Sequence, residues 1–134
     1  MFTKTFSAAI LIICLFIACG KSSIKLNHLT NTKWVLTETL FDPGNGSGQW
    51  MPVSPSTPNQ IIEFKQGGKF SGGQVAILHN YDHWKASSDS TLTFTTSAYS
   101  INNTIYSNYK MENGKLIISL ACIEACALKF ENAK

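Results

Sequence analysis

From Trp34 to the C-terminus the chain runs in short stretches where apolar and polar residues alternate, the period of a strand with one dry and one wet face. WVLTETLF (34–41) puts Trp34, Leu36, Glu38 and Leu40 on one side. GQWMPV (48–53) follows a glycine-rich link, and IIEFK (61–65) pairs Ile62 with Phe64. Gln66-Gly67-Gly68 then joins this stretch to KFSGG as a hairpin with Phe70 inward. YDHWKA (81–86) sets Asp82 beside Trp84, and across the turn SSDS, TLTFTT (91–96) alternates Leu92 and Phe94 with threonines. IYSNYKME (105–112) and KLIISL (115–120) flank Asn113-Gly114, a dipeptide suited to the left-handed geometry of a type I′ turn. ALKFEN (127–132) closes the series. Eight or nine strands on short links predict an all-β fold, an eight-stranded antiparallel up-and-down barrel in which closure removes the exposed edges.

The first residues follow a different rule. After Lys4, Ala8 to Cys19 form an almost purely apolar run that as a helix would reach only about 18 Å at about 1.5 Å per residue. A membrane span needs about 20 apolar residues, so a secretory h-region is expected instead. Phe16-Ile17-Ala18-Cys19-Gly20 resembles a bacterial lipobox, which implies cleavage before Cys19 and acylation of that cysteine. The expected organisation is a signal peptide (1–18), an acylated tether (19–32) and one barrel domain (33–134). Several acyl chains would hold the protein on a membrane without crossing it. Gly20-Lys21-Ser22-Ser23 carries no acid of the kind that favours retention elsewhere, which points to an outer-membrane anchor facing the periplasm.

Beyond Cys19 ten lysines face eight acids, and the chain has no arginine. With no basic stripe and no bidentate phosphate reader, a nucleic-acid partner is not expected.

Candidate chemistry is sparse. His79 and His83 stand four apart, but on a strand and its flanking loop they lack the third ligand of a metal site. Asp42-Pro43-Gly44-Asn45-Gly46-Ser47-Gly48 has neither the ligand positions nor the closing glutamate of a calcium loop, and reads as a turn-rich connection at a barrel mouth. Glu38 and Asp82 each share a face with aromatics. On interior faces they would be polar handles for a ligand; a bulge near a rim would instead turn either one to solvent. No nucleophile elbow and no phosphate-cradling loop is present, so no catalytic residue, no metal and no cofactor is assigned.

TKWVLTETLFDPGNGSGQWMPV, IIEFKQGGKFSG and CIEACALKF together resemble the small lipocalin-like domains of bacterial lipoproteins. The shared features are an early tryptophan strand, a D-P-G-x-G-S-G loop before a second tryptophan, an F-x-x-G-G/D-G-x-F hairpin and a C-I-E-x-C ending. The resemblance spans residues 30–132 and implies a calycin-type barrel. Thr32 stands where lipocalins usually have glycine, and Ala125 where the ending usually has glycine.

In an oxidising compartment Cys122 and Cys126 are expected to form a disulfide stapling the last hairpin. Residues opposed across a three-residue loop lie within the roughly 4.4–6.8 Å Cα range of such bonds. A redox pair would more typically be C-x-x-C at a helix start, and a zinc site would need a second cysteine pair.

Two functions follow. In the first, the barrel holds a small apolar or amphipathic ligand against Trp34, Leu36, Phe64, Phe70, Trp84, Phe94 and Tyr109, with Leu116, Ile118 and Phe130 completing the wall and Glu38 and Asp82 as handles. In the second, side chains fill the barrel, as eight strands permit. The protein is then an interaction or inhibitor module for a cell-envelope partner, meeting it through the loop of Asp42 and Asn45 with Trp50 as anchor.

Overall fold

A computed structural model describes residues 28–54, 60–98, 104–123 and 125–133. The expected signal peptide and Cys19 lie outside the described residues. Among the described residues alternation becomes nine strands: β1 (Thr32–Phe41), β2 (Gln49–Pro52), β3 (Ile61–Phe64), β4 (Phe70–Ser71), β5 (His83–Ser88), β6 (Thr91–Thr95), β7 (Thr104–Glu112), β8 (Lys115–Ser119) and β9 (Cys126–Asn132). All pair antiparallel, in the order β4-β3-β1-β9-β8-β7-β6-β5, and β2 also pairs with β1.

Nine strands fill eight places because β2 and β3 share one edge of β1. Leu40 faces Trp50 and Glu38 faces Pro52 in β2, while Val35 faces Ile61 and Thr32 faces Phe64 in β3. The amide of Val53 donates to the Thr37 carbonyl and that of Leu36 to the Gln60 carbonyl, both at 2.8 Å, so the chain leaves the wall after β2 and rejoins it at β3. Every other neighbour in the sheet is a neighbour in sequence or the β9–β1 pair, giving the up-and-down barrel expected. Between β4 and β5 it is only nearly closed: Lys69 bridges His83, and the Phe70 amide donates to the Asp82 carbonyl at 2.7 Å.

Turn chemistry fixes the register. Asn113 (φ 52°) and Gly114 (φ 76°) adopt the left-handed conformation, and β7 meets β8 with Glu112 opposite Lys115. Gly72 carries the other demanding backbone position, since a Cβ there would lie 1.9 Å from the Leu78 carbonyl oxygen. Its closeness lets residues 72–80 fold back as a set of tight turns, Val75 to Gly72 (3.0 Å) and Leu78 to Val75 (2.8 Å), which deliver Val75 and Leu78 into the core.

The inward positions form one cluster. Ile62, Phe64, Leu78, Leu92, Phe94, Leu116, Ile118 and Phe130 have no exposed surface, and Leu29, Trp34, Phe70 and Trp84 are nearly as buried. Burying each large apolar side chain contributes roughly 1.5–3 kcal/mol before entropy is counted. Phe64, Phe70, Trp84 and Phe94 stack at 4.8–6.4 Å between centroids in tilted and edge-on arrangements, the geometries aromatic quadrupoles favour.

The predicted alternation fails at one place in β1. Leu36 faces Phe130, but Glu38 faces Lys129, so Thr37 is an extra residue. The bulge turns Glu38 and Leu40 to the outer face, away from Trp34 and Leu36, which overturns the expectation that all four share one side. Asp82 also leaves its expected place. The strand begins at His83 rather than Tyr81, and the Asp82 side chain turns to accept hydrogen bonds from Ser97.

Candidate functional site

Alternating hairpins bring the β1–β2, β4–β5 and β8–β9 loops to the same mouth of the barrel. In the first, the Asp42 carboxylate oxygen Oδ1 accepts from the backbone N–H of Gly44 (2.9 Å), Asn45 (3.2 Å) and Gly46 (3.2 Å). Asp42 is buried and its Oδ1 is held by its own loop, while Asn45 is exposed and accepts from the Ser47 amide at 3.0 Å. These two residues, expected to contact a partner, thus shape the loop.

Beside this loop the mouth is apolar. Phe41 (62% exposed), Ile77 and the fully exposed Ile123 border a groove of about 460 Å³ with Asp42, Ala125 and the cysteines. Cys122 and Cys126 are disulfide-bonded as predicted, with Cα atoms 6.1 Å apart. Leu120 donates its amide to the Cys126 carbonyl at 3.1 Å, so the loop is pinned on both sides of its apolar tip. Phe41, Ile77 and Ile123 were not among the predicted site residues. An isoleucine between two cysteines in a turn was the visible signal for the last of them.

Trp50 lies elsewhere. It sits half-buried on the outer face of β2, with the Lys129 ammonium 3.9 Å from its ring centroid, and the same ammonium reaches Glu38 Oε2 at 2.7 Å. Trp50, Lys129 and Glu38 therefore form one outer-wall stack, which replaces both the loop anchor expected of Trp50 and the interior handle expected of Glu38. Next to it, Lys110 pairs with Glu112 at 2.7 Å and Lys115 with Glu131 at 2.8 Å. The Lys110 ammonium holds the Glu112 carboxyl below its ordinary range, and Glu131 holds the Lys115 ammonium above its own. Trp50, Lys110, Glu112, Lys115 and Lys129 border a second groove, of about 350 Å³, with Asn113 and Ile117.

Asp82 is the strongest electrostatic perturbation in the described residues. Ser97 donates to it through its hydroxyl and its amide (2.9 Å), and His83 Nδ1 approaches at 2.7 Å. The Ser97 hydroxyl, then His83, lower its pKa to about 2. The carboxylate is solvent-exposed and ties the β6 end to β5, away from the core aromatics. His79 turns its Nδ1 to the Ala76 carbonyl, apart from His83. Among the described residues no group of three or more His, Cys, Asp or Glu side chains is placed to hold a metal.

The predicted wall residues do come together. Trp34, Leu36, Phe64, Phe70, Trp84 and Phe94 all face inward, packed against one another, and Tyr109 joins their edge half-buried, its phenol pKa raised by burial and then by Asp89. Trp34 Nε1 donates to the Thr32 hydroxyl at 2.7 Å and Trp84 Nε1 to the Lys65 carbonyl at 3.3 Å, so the indole N–H groups are already partnered. Compared with family models, curated proteins and solved structures, the chain matches none of them.

Proposed function

We propose that this chain is a lipid-anchored, lipocalin-like interaction module of the cell envelope, whose packed barrel presents one mouth to a protein partner. The observation that carries the reading is the exposure of Phe41, Ile77 and Ile123 around the disulfide-pinned loop. Three large apolar side chains held in water on one rim cost free energy that a partner's surface recovers, and such clusters mark interaction sites. The partner it fits presents an apolar side chain to enter the groove, ringed by polar groups for the exposed backbone of the Asp42 loop.

The filled interior supports this reading over a ligand carried inside the barrel. Side chains with no exposed surface leave no room beside them, and the indole N–H donors are occupied by the protein itself. In the same reading Cys19 anchors the chain at the outer membrane facing the periplasm, and no catalytic step is assigned.

The test has two arms on the full-length protein. A photo-crosslinking residue at Ile123, compared with one at Lys85 on the opposite wall, should capture a defined envelope protein only from the mouth. With that protein purified, Ile123→Asp should weaken binding by about tenfold or more, the scale of a buried interface anchor. Native mass spectrometry of the unmodified protein should give the bare polypeptide mass plus its acyl chains. A further bound molecule of a few hundred daltons, released on denaturation, would restore the carrier reading and sink this one.

A further inference from the structure

The outer-wall groove between β2 and the β7–β8 turn is a separate feature, about as large as the smaller sites that take organic ligands, which begin near 300 Å³. Its floor is Ile117, which points outward from β8 yet is only 6% exposed. One wall is Trp50. The other is Lys110, Glu112, Asn113 and Lys115, held in place by the tight Asn113-Gly114 turn.

The charges of this groove are arranged in closed pairs. Lys110 holds Glu112, Lys115 holds Glu131, and Lys129 is clamped between Glu38 and the Trp50 ring. An anion entering here meets a carboxylate beside every ammonium, and a cation meets the reverse. A zwitterion would have to open pairs already closed at 2.7–2.8 Å. What the pairs leave over is hydrogen-bonding capacity: an ammonium has three N–H donors and a carboxylate about four lone-pair sites, and each pair spends only part of that. A ligand whose hydroxyl groups both donate and accept can use these remainders without breaking a pair. An indole alongside offers an apolar surface for the C–H face of such a ligand, as aromatic rings pair a large apolar body with a polar edge.

We propose that the groove lined by Trp50, Lys110, Glu112, Asn113 and Lys129 is a binding site for an uncharged saccharide. It is independent of the mouth: its residues lie on the outer face of β2, β7, β8 and β9, and none borders the Phe41–Ile123 groove. A module that docks a protein at its mouth would then also hold a glycan on its flank.

The experiment is a titration of the full-length protein, in mild detergent, with neutral tetrasaccharides of glucose, mannose and N-acetylglucosamine, followed by ¹H–¹⁵N shifts. Phosphocholine and a sulfated tetrasaccharide are titrated in parallel. At least one neutral tetrasaccharide should give a saturable response below about 10 mM, an affinity within the weakest range of specific binding. The shifts should centre on the Trp50 indole N–H and the Asn113 and Gly114 amides. Trp50→Ala should reduce the affinity at least about tenfold, since base-on-aromatic stacking of similar type is worth that much. Because Trp50 also packs on Lys129, the exposed pair Lys110→Ala and Glu112→Ala provides a second variant, expected to weaken binding severalfold with the melting temperature unchanged. Absence of saturation with all three sugars, shifts scattered over other faces, or tighter binding of phosphocholine or the sulfated sugar would each overturn the proposal.

Discussion

Two sides of the same barrel are held together by different means. Along β1, β9 and β8 the strands stay in register for most of their length, from Trp34 opposite Asn132 to Phe41 opposite Cys126. The backbone ladder there is nearly continuous. On the far side β3 and β4 share only Glu63–Ser71 and Phe64–Phe70, and β4 meets β5 through a single bridge. That side is closed from within, by Phe64 edge-on to Trp84 at 4.9 Å and Phe70 against Phe94 at 4.8 Å, and from above by the turns that insert Val75 and Leu78. Where strands are too short for a ladder to hold the seam, large side chains and one folded-back loop take its place.

The largest effect should come from disturbing that loop. Gly72→Ala places a methyl group 1.9 Å from the Leu78 carbonyl oxygen, with the His79 amide nitrogen 2.8 Å away, and both are backbone atoms that cannot swing aside. We expect a loss of about 4 kcal/mol or more, the range reserved for severe steric lesions, read from chemical denaturation. A loss below about 1 kcal/mol would mean the ladder side alone sets global stability.

The ladder side carries an opposite kind of weakness. Ser107 of β7 faces inward opposite Leu92, is 3% exposed, and its hydroxyl has no hydrogen-bond partner. An unmet buried hydroxyl costs about 1–3 kcal/mol, so Ser107→Ala should stabilise the protein by about 1 kcal/mol after the loss of packing is subtracted. Destabilisation would show that the hydroxyl is satisfied in solution.

The smallest effect belongs to the polar latch on the seam. The folded-state pKa of Asp82 is depressed to about 2, below the ordinary value of 3.8. Its contribution is therefore complete above the unfolded pKa and is lost as pH falls through the window from about 4 to about 2. Asp82→Asn should flatten that part of the pH dependence of the melting temperature, while the profile at neutral pH keeps its shape. An unchanged acid limb would show that Ser97 and His83 do not hold the carboxylate in solution.

Much of the wall was readable from the chain. Val-, Ile- and Thr-rich alternation located the strands, Asn113-Gly114 located a turn, and Ile62, Phe64, Phe70, Leu92, Phe94 and Phe130 fell inside as predicted. The site was less legible, because its determinants are distant in sequence. Nothing in T-E-T announces that Thr37 is an extra residue, since its reason is the register with β9. The sequence around Trp50 suggests a loop anchor, and nothing in it signals the Lys129 ammonium over its ring. Ile117 and Ala127, buried on the outer face, looked like ordinary members of strands because alternation cannot say what will cover an outward residue. The glycine at 72 gave no hint that residues 73–80 would fold back into the core.

The bulge at Thr37 makes β1 a chain with two parities. Before it, even-numbered residues face the interior; after it, odd-numbered ones do, and Glu38 comes to rest opposite Lys129 instead of among the aromatics. At this position it is the presence of the bulge, not the kind of residue in it, that shifts the parity. A different side chain at 37 leaves both halves of the strand in step with β9. Removing the residue would leave Leu36 opposite Phe130 and Glu38 opposite Lys129 in an unbroken ladder, with every face kept. Holding all residues in a regular strand would instead exchange the faces of everything from Glu38 to Phe41, sending a carboxylate inward and taking from Lys129 the counter-charge that positions it over Trp50. The outer wall's lysine–tryptophan stack is thus set by arithmetic along the backbone before it is set by any contact.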